Sequence, residues 1–407
     1  MRVVIVGGGQ AGASVVSKLR QLGFDGELLM ISQETVPPYE RPPLSKKHLQ
    51  NHTAGKLVAI LPEEFWTECR VELRLNTRVD AIDPEARFLQ AGKERIDFDH
   101  LVLATGSSAR RLPEAITNGL EQIFHLRDVE DANALHAHLQ PGTSLVIVGG
   151  GYIGMELAAT ARVKGLEVTV IERDDRILKR VASMPLSNEI GRWHRDNGVR
   201  IIECAGVAKL SGRKAVQNVT LQDGTKIRAD IVVVGVGVSP RTGLAEAAGL
   251  ELHNGISVNA LGLTSRPGIW AAGDCASFEF EGRVLRLENV QNAIEQAETV
   301  AENILGANKN YRPLPTFWSE QFDHLVQIAG LFHPSMTTVN RQTPSGTSFW
   351  HYHDDNLKAV EVLNDPKAFS IARRMLADGR SPAADEVASP DLNLKTLLKT
   401  SKKTEPV

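Results

Sequence analysis

Two short glycine-rich stretches carry the residues whose spacing points most directly to chemistry. "GGGQAG" (7–12) and "GGGYIG" (149–154) each follow a short run of apolar, mostly β-branched residues and precede a helical pattern. In the spacing G-x-G-x-x-G, the first glycine permits a tight turn, the second lets backbone amides approach a pyrophosphate, and the third permits close helix packing. The start of the following helix favours the negative phosphate. The sequence therefore predicts two dinucleotide-binding turns, whose glycines are Gly7, Gly9, Gly12, Gly149, Gly151 and Gly154.

Two carboxylates stand where such a fold places ligand contacts. Glu172 ends the strand pattern "EVTVIE", 18 residues after Gly154, close to the roughly 20 residues that separate a ribose-binding acid from this turn. A carboxylate there accepts the ribose 2′-OH and repels a 2′-phosphate, although Arg173 and Arg176 could weaken that selectivity. Asp274, in "GIWAAGDCASF", follows an apolar strand and is either an acceptor for cofactor hydroxyls or a helix N-cap. The two upstream turns favour the cofactor role.

The elements that hold these turns form an internal repeat. Residues 3–23 and 145–165 match without a gap, and nine of the 21 positions are identical. Each copy continues with a second strand and, further on, with a hairpin pattern and an apolar strand that ends in glycine. The order of strand, turn and helix predicts an α/β protein with two Rossmann-like dinucleotide-binding domains.

The repeat and the pattern that follows it predict three domains. We expect the first domain to cover residues 1–112 and 240–311, with the second domain, 113–239, inserted between them. Residues 312–407 predict a small α+β domain, in which "HLVQIAGL", "TSFWHYH" and "LKAVEVLN" are strands and "PKAFSIARRMLADG" is a helix. The tail "LKTLLKTSKKTEPV" is expected to form a short helix and a frayed end.

Composition limits the classes of function. The net charge of −3 over 407 residues gives no field that would attract nucleic acid or an anionic membrane. No apolar run approaches the ~18 residues of a membrane span, and the chain enters a strand without a signal-peptide pattern, so we expect a cytoplasmic protein. Cys69, Cys204 and Cys275 are too far apart to indicate a disulfide framework or a closely spaced metal site, and we expect no metal.

Six motifs together resemble the glutathione-reductase-like flavoproteins: "GGGQAG", "ERPPLSK", "LVLATGS", "GGGYIGMELA", "GVGVSP" and "AAGD". The chain is most similar to the NADH-dependent ferredoxin reductases that serve bacterial P450 and aromatic-ring dioxygenase systems, and the similarity continues through "RLENVQNAIEQA" and "FWSEQ". Apoptosis-inducing-factor-like proteins share much of this pattern. The resemblance implies FAD in the first dinucleotide fold, NADH in the second, a [2Fe–2S] ferredoxin as partner, and a monomer or homodimer.

The resemblance also implies which residues contact the cofactors. Those assigned to FAD by matching motifs, besides the first three glycines, are Arg41, Lys46, Val79, Arg127, Asp274 and Val290. Electrons are expected to leave at the flavin edge near Asn289, Val290 and Trp318. Further cofactor contacts in the quoted motifs are Ala104, Thr105, Gly106, Tyr152, Ile153 and Gly237. The family often has an acidic residue at the position of Gln33, so we assign the adenosine ribose contact to the neighbouring Glu34.

The loop "ERPPLSKK" stands where disulfide reductases of this superfamily carry a Cys-x-x-x-x-Cys pair. No cysteine precedes Cys69, so the resemblance implies that electrons leave the flavin directly. Pro42 and Pro43 fix φ near −65° and favour extended geometry at the residue before each. We therefore expect Arg41 and Lys46 to project from the loop in defined directions.

A lysine and a glutamate are the side chains that the resemblance places beside the reacting atoms. It implies that Lys46 reaches the flavin N5 edge and that Glu156 pairs with it, whereas Lys47 is a surface charge. A glutamate in the first turn of a helix is also favoured by the helix dipole alone, so its type does not prove the pairing. The corresponding residue of the first repeat is Ser14, which fits a role specific to the nicotinamide side.

These inferences predict hydride transfer from NADH to FAD, followed by single-electron transfer to a ferredoxin. Candidates for a basic rim that would receive an acidic ferredoxin are Arg283, Arg286, Arg373 and Arg374, and the alternative for each is an ordinary surface charge. A reductase of rubredoxin or a quinone, and a redox-sensing flavoprotein of the apoptosis-inducing-factor type, are the alternatives. An NADH oxidase or coenzyme A disulfide reductase is disfavoured, because the loop at 39–47 lacks the active cysteine.

Overall fold

The computed structural model describes residues 1–50 and 57–403. The described residues divide into two compact units, each built from three stretches of chain. The first unit contains residues 1–40, 57–108 and 238–315, and the second contains residues 41–50, 109–237 and 316–403. The loop that carries Lys46 therefore belongs to the same unit as Glu156. The division into three domains stays a prediction.

The helices are short and regular, and one 3-10 helix covers Pro42–Ser45. In chain order the α-helices are α1 Gln10–Gln21, α2 Lys47–Gln50, α3 Glu63–Glu68, α4 Glu114–Thr117, α5 Val129–His136, α6 Tyr152–Val163, α7 Met184–Asp196, α8 Gly243–Ala247, α9 Val290–Ile304, α10 Pro366–Ala377, α11 Ala384–Ala388 and α12 Leu394–Thr400.

The strands form parallel sheets and smaller antiparallel ones. In chain order they are β1 Arg2–Val6, β2 Glu27–Ile31, β3 Val71–Arg74, β4 Ala81–Asp83, β5 Phe88–Ala91, β6 Glu94–Asp97, β7 His100–Leu103, β8 Ser107–Ala109, β9 Ile123–Phe124, β10 Ser144–Val148, β11 Glu167–Ile171, β12 Arg200–Ile202, β13 Val207–Gly212, β14 Val216–Leu221, β15 Lys226–Arg228, β16 Ile231–Val234, β17 Val238–Pro240, β18 Ile256–Val258, β19 Ile269–Ala271, β20 Ala276–Phe280, β21 Arg283–Leu285, β22 Thr316–Gln321, β23 His324–Gly330, β24 Thr337–Thr343, β25 Gly346–His353, β26 Asn356–Leu363, β27 Arg380–Ser381 and β28 Lys402–Lys403.

A five-stranded parallel sheet forms the centre of the first unit, in the order β19-β7-β1-β2-β3. Its inner strands are continuous apolar runs, as expected for a parallel sheet covered on both faces. Val3, Ile5, Val15 and Leu19 are fully buried together on one face, where residues of β1 and α1 meet. This packing fixes the turn between β1 and α1.

The second unit repeats this arrangement. Its parallel sheet has the order β12-β11-β10-β16-β9, so β3-β2-β1-β7 and β12-β11-β10-β16 correspond strand by strand. The two predicted hairpins are also present, as the antiparallel sheets β4-β5-β6 and β13-β14-β15. The predicted α/β fold with two Rossmann-like sheets is confirmed.

The C-terminal part of the second unit contains an antiparallel sheet in the order β22-β23-β26-β25-β24. The three predicted strands and the helix α10 are present, but two strands were missed, β22 and β24. In both strands, buried and exposed residues alternate over only part of the length, so the apolar-polar alternation that would predict a strand is weak. The tail forms α12, and β28 pairs with β27, so the predicted frayed end does not begin before residue 404, and residues 404–407 lie outside the described part.

One expectation about the proline loop was wrong. Arg41 has φ −80° and ψ −33°, a helical conformation, and precedes the 3-10 helix that begins at Pro42. Proline suits the first position of a helix because its missing N–H would have no intrahelical partner there. The two prolines therefore start a helical turn, and the extended geometry predicted for Arg41 does not occur.

Candidate functional site

The first glycine-rich turn connects β1 with α1. Gly7 has a φ of +129°, and a Cβ there would lie 2.0 Å from the carbonyl oxygen of Ala104, so a side chain is excluded. A Cβ at Gly12 would lie 2.1 Å from the carbonyl oxygen of Gly7. Gly9 is the N-cap of α1, and no side chain caps this helix. The turn can therefore present backbone N–H groups to an anion.

In the second turn, between β10 and α6, the three glycines differ in the space that a side chain would have. A Cβ at Gly149 would lie 2.3 Å from the carbonyl oxygen of Gly235, and one at Gly154 would lie 2.3 Å from that of Gly149. A Cβ at Gly151 would meet no atom within 4 Å. Protein packing therefore explains the outer glycines but not the middle glycine, whose contact with a ligand stays a prediction. The residues present fit a dinucleotide pyrophosphate.

Three further predicted residues lie in the first turn of α6 and in the loop after β16. Ile153 is exposed in the first turn of α6, and the ring of Tyr152 packs on Phe317 with 4.4 Å between centroids. The Tyr152 hydroxyl is buried and, in the described part of the chain, has no hydrogen-bond partner. Burial, together with the charges of Glu361 and Glu156, raises the pKa of Tyr152 well above its usual range, so its hydroxyl stays protonated. Gly237, with a φ of +102°, lies in the loop after β16.

Glu172 directly follows β11 and turns back towards the second turn. Its Oε2 accepts a hydrogen bond from the backbone N–H of Gly150 at 2.7 Å, and its Oε1 accepts one from Asp174 at 2.8 Å. A carboxylate has about four acceptor positions, so this orientation leaves capacity for ribose hydroxyls. Arg176 donates to carbonyl oxygens of its own loop, including that of Ala182 at 3.0 Å, whereas Arg173 is exposed.

The first unit has no carboxylate at the position that corresponds to Glu172. Ile31 pairs with Val6 as Ile171 pairs with Val148, so Ser32 is the counterpart of Glu172. A Cβ at Gly8 would lie 2.4 Å from Ser32 Oγ, which confirms the equivalent placement. The assignment of the adenosine ribose to Glu34 stays a prediction. That carboxylate is half-buried, and its Oε2 accepts a hydrogen bond from the Tyr39 hydroxyl at 2.7 Å.

Asp274 lies in the turn between β19 and β20. Because a strand and not a helix follows it, the N-cap alternative for Asp274 is wrong. Its Oδ2 accepts a hydrogen bond from Ser107 Oγ at 2.9 Å. Thr105 Oγ1, in the turn after β7, donates to the carbonyl oxygen of Arg241 at 2.7 Å, and the next residue, Gly106, has a φ of +68°. These turns present small side chains and one half-buried carboxylate.

The other predicted residues of the first unit occupy the start of α9 and the core. Asn289 is the N-cap of α9, and its Oδ1 accepts the backbone N–H of Asn292 at 2.7 Å, so Val290 begins the helix. Val79 is buried in the apolar core. Arg286 fits neither a docking rim nor an ordinary surface charge, because its side chain is only 6% exposed and forms an ion pair with Glu288 at 2.6 Å. Arg283, Arg373 and Arg374 are exposed.

Two arginines of the predicted FAD contacts meet in the second unit. Arg41 Nη1 donates to the carbonyl oxygen of Arg127 at 3.1 Å. The backbone N–H of Arg127 donates to Asp131 Oδ2 at 2.9 Å, in the capping box that starts α5. The start of α5 therefore fixes the backbone that receives Arg41.

The Lys46 ammonium and the Glu156 carboxylate form the ion pair that the sequence predicts. Nζ lies 2.7 Å from Oε2, and the side chains are only 12% and 6% exposed. Ser45 Oγ donates to the same oxygen at 2.5 Å, and Lys46 Nζ also donates to the carbonyl oxygen of Pro42 at 3.3 Å. The neighbouring Lys47 is exposed. The catalytic role of the pair stays a prediction.

Sequence reasoning missed two serines that complete this site. Besides Ser45, Ser319 Oγ donates to Glu156 Oε1 at 2.7 Å, so both oxygens of the carboxylate are engaged. Within β22, Trp318 and Glu320 are exposed whereas Ser319 and Gln321 are buried, as the alternation of a strand requires. The alternation could have been recognised only if "FWSEQ" had been assigned to a strand.

Across 1–50 and 57–403, no group of three or more His, Cys, Asp or Glu side chains could hold a metal ion. In the same ranges, no helix is both long and apolar enough to cross a bilayer.

Comparison with known proteins gives consistent matches over nearly the whole chain. Residues 1–297 match the family model described as pyridine nucleotide-disulphide oxidoreductase, and residues 316–398 match the model described as reductase C-terminal. Rhodocoxin reductase of Rhodococcus erythropolis is 37% identical over 412 residues, which cover 99% of this chain and 96% of the relative. A rubredoxin-NAD(+) reductase of Pseudomonas putida is 36% identical, with 90% of this chain and 97% of the relative covered.

A solved structure agrees with these matches. The crystal structure of the ferredoxin reductase for the CYP199A2 system from Rhodopseudomonas palustris superimposes with a TM-score of 0.94 at 36% identity, and the alignment covers 97% of this chain and 99% of that chain.

Proposed function

Because the chain belongs to the pyridine nucleotide-disulphide oxidoreductase family, we propose that it is an FAD-containing NADH:ferredoxin oxidoreductase. Its partner in this proposal is a [2Fe–2S] ferredoxin that supplies an oxygenase, either a P450 or an aromatic-ring dioxygenase. The observation that carries the proposal is the buried ion pair of Lys46 and Glu156, in the region where disulfide reductases of the superfamily carry their cysteine pair. The similarity to a reductase named for a P450 system supports the same acceptor.

The proposed roles follow from what each group can do chemically. FAD, when bound, accepts a hydride from NADH and returns the two electrons singly. Gly151 leaves the backbone of the second turn open to a pyrophosphate, and Glu172 offers acceptors to the ribose. Lys46 supplies N–H donors, and Glu156 balances its charge. In this proposal residues 113–239 hold NADH, residues 1–112 and 240–311 hold FAD, and residues 312–407 form the third domain.

Selectivity for NADH over NADPH and a cytoplasmic location belong to the same proposal. A fixed carboxylate at Glu172 repels the 2′-phosphate that distinguishes NADPH. NADH is a cytoplasmic electron donor, which favours that compartment for an enzyme that uses it.

The direct test is NADH-driven reduction of cytochrome c with a panel of [2Fe–2S] ferredoxins and a rubredoxin. We expect fast reduction only when a ferredoxin is added, and a much lower rate with NADPH. Fast reduction with rubredoxin alone would favour the second candidate, a rubredoxin reductase, which the similarity to the Pseudomonas putida enzyme supports. A protein that binds no FAD would overturn both.

A further inference from the structure

A line of buried hydrogen bonds leads away from Glu156 within the second unit. Ser319 Oγ lies 2.7 Å from Glu156 Oε1, Gln321 Nε2 lies 3.0 Å from Ser319 Oγ, and His194 Nε2 lies 2.8 Å from Gln321 Oε1. None of these four residues is more than 6% exposed. These hydrogen bonds join α6, β22 and α7, which lie far apart in sequence. Buried polar groups of this kind are costly unless each finds its partner.

The donors and acceptors in this line of hydrogen bonds can be assigned in only one way. An ionised Glu156, paired with Lys46, can only accept, so the Ser319 hydroxyl must donate its single hydrogen to Oε1. Ser319 Oγ can then only accept from Gln321, which places the amide NH2 towards the serine and the amide oxygen towards His194. That oxygen accepts, so His194 Nε2 must carry a hydrogen.

The unused nitrogen of His194 agrees with this direction. Nδ1 is buried and, within the described residues, has no hydrogen-bond partner. A buried orphan acceptor is more easily tolerated than a buried orphan N–H, so Nδ1 is expected to be the bare nitrogen. Burial also lowers the pKa of His194 to about 4, which keeps the imidazole neutral at pH 7.

We propose that Ser319, Gln321 and His194 are positioning residues, which form a directed hydrogen-bond chain that fixes the Glu156 carboxylate opposite Lys46. Lys46 and Ser45 engage Oε2, and the chain engages Oε1, so the plane of the carboxylate cannot rotate without losing a bond. The proposal rests on the proposed function, because it concerns the ion pair in which, under that function, Lys46 supplies N–H donors and Glu156 balances its charge.

The tautomer of His194 tests the chain without any turnover. In 15N-detected NMR spectra of the FAD-loaded protein at pH 7, with the signal assigned by its loss in His194→Gln, we expect a neutral imidazole with the hydrogen on Nε2. That hydrogen should exchange slowly with water because it is buried. A hydrogen on Nδ1, or an imidazolium, would overturn the proposed direction.

Kinetics test whether the chain acts through Glu156. In single-turnover reduction of the flavin by NADH, Ser319→Ala should be slower by about tenfold, the effect of losing one charge-assisted hydrogen bond, whereas Ser319→Thr should recover much of the rate. Added to Glu156→Gln, Ser319→Ala should cause no further slowing, since the two act as one unit. Glu320→Gln, on the exposed face of the same strand, is the matched control and should keep the parent rate.

Two outcomes would sink the positioning role: a parent-like rate in Ser319→Ala with full FAD content, or slowing that simply adds to that of Glu156→Gln. A parent protein that binds FAD but is not reduced by NADH would instead overturn the proposed function. In that case the tautomer of His194 still tests whether the hydrogen bonds run in the proposed direction from His194 to Glu156.

Discussion

At the residue scale, Glu172 and Glu156, the two predicted site carboxylates of the second unit, are held in different ways. Glu172 is oriented by the backbone N–H groups of Gly150 and Asp174, so no polar side chain is needed to hold it. Glu156 is oriented by side chains, one ammonium and two hydroxyls. Substitutions around Glu156 should therefore affect function, whereas at the other site the predicted effect on nucleotide selectivity belongs to Glu172 itself.

Replacing Glu172 should relax the choice of nucleotide. We expect Glu172→Ala to raise the ratio of kcat/KM for NADPH over NADH by about tenfold or more, because a fixed negative charge next to a 2′-phosphate is removed. Steady-state kinetics with both nucleotides measure this ratio, and Asp175→Ala, a nearby exposed carboxylate, is the control. If Glu172→Ala rejects NADPH as strongly as the parent, selectivity resides elsewhere.

Removing the ammonium of the ion pair should affect both stability and flavin reduction. Lys46→Met leaves Glu156 buried without its cation, at a cost of roughly 3 kcal/mol in the free energy of unfolding, and should slow reduction of FAD by NADH in stopped-flow experiments. Lys47→Met changes an exposed neighbour and should do neither. The double variant Lys46→Met, Glu156→Gln should regain stability but not rate. Parent-like reduction in Lys46→Met would remove the pair from the mechanism.

At the element scale, a glycine turn contains positions required by the fold and one that is open to a ligand. The outer glycines of the second turn face backbone oxygens at distances that exclude any side chain, whereas the middle glycine faces open space. The three glycines of this turn are therefore present for different physical reasons, and substitutions should have different effects at the outer and middle positions.

We expect Gly154→Ala to prevent folding and Gly151→Ala to weaken NADH binding with little change in stability. The first places a methyl group 2.3 Å from a backbone oxygen. The second has an N-cap φ of −77° that alanine tolerates, but its methyl group would occupy the space a pyrophosphate needs. Thermal melting and titration with NADH measure the two effects. Parent affinity in Gly151→Ala would show that no phosphate approaches there.

Helix α7 is attached to the C-terminal sheet at both of its ends by buried polar groups. At its start the N-cap Ser183 donates to Glu361 through its backbone N–H at 2.8 Å and through its hydroxyl. His351 Nε2 lies 3.1 Å from the same carboxylate, and His351 and Glu361 are both fully buried. Near the other end His194 meets Gln321.

Loss of the Ser183 hydroxyl should therefore be costly. Ser183→Ala removes the cap of α7 and one donor to a buried carboxylate, and we expect it to lower the free energy of unfolding by about 2 kcal/mol. Ser345→Ala, at an exposed loop position of the same unit, should change it by no more than a few tenths. Urea unfolding measures both. If Ser183→Ala and Ser345→Ala unfold at the same urea concentration, the Ser183 hydroxyl contributes nothing to the free energy of unfolding.

At the scale of the whole molecule, the buried histidine of α7 links stability to pH. Burial is the main cause that lowers the pKa of His194 to about 4 from 6.5. As the pH falls below 6.5 the unfolded chain takes up a proton that the folded protein does not, and this continues down to about pH 4. The stability contributed by the neutral imidazole is thus complete above pH 6.5 and is lost towards pH 4.

We expect this histidine to account for on the order of 3 kcal/mol of the destabilisation between pH 6.5 and pH 4. In His194→Gln the midpoint of urea unfolding should depend less on pH across that window than in the parent. His253→Gln, at an exposed position of the first unit, should retain the parent dependence. An unchanged pH dependence in His194→Gln would show that His194 is not the group that titrates.

The repeated fold and its two glycine-rich turns could be predicted from the sequence. Glycine spacing, apolar runs and hairpin patterns are local signals, and they predicted both parallel sheets and the turns at Gly7 and Gly149. Local signals also misled: the prolines predict an extended Arg41, where the chain forms a 3-10 turn, and the sequence around Asp274 allows an N-cap as the alternative, although a strand follows it.

The side chains that surround Glu156 could not be predicted from the sequence. Ser45, Ser319, Gln321 and His194 come from three elements, the 3-10 helix, β22 and α7, which are separated by up to 276 residues of chain, and a serine or glutamine carries no sequence signal of its partner. The reason is physical: a backbone turn is specified by neighbouring residues, whereas a buried hydrogen-bond network is specified by how distant helices and strands pack.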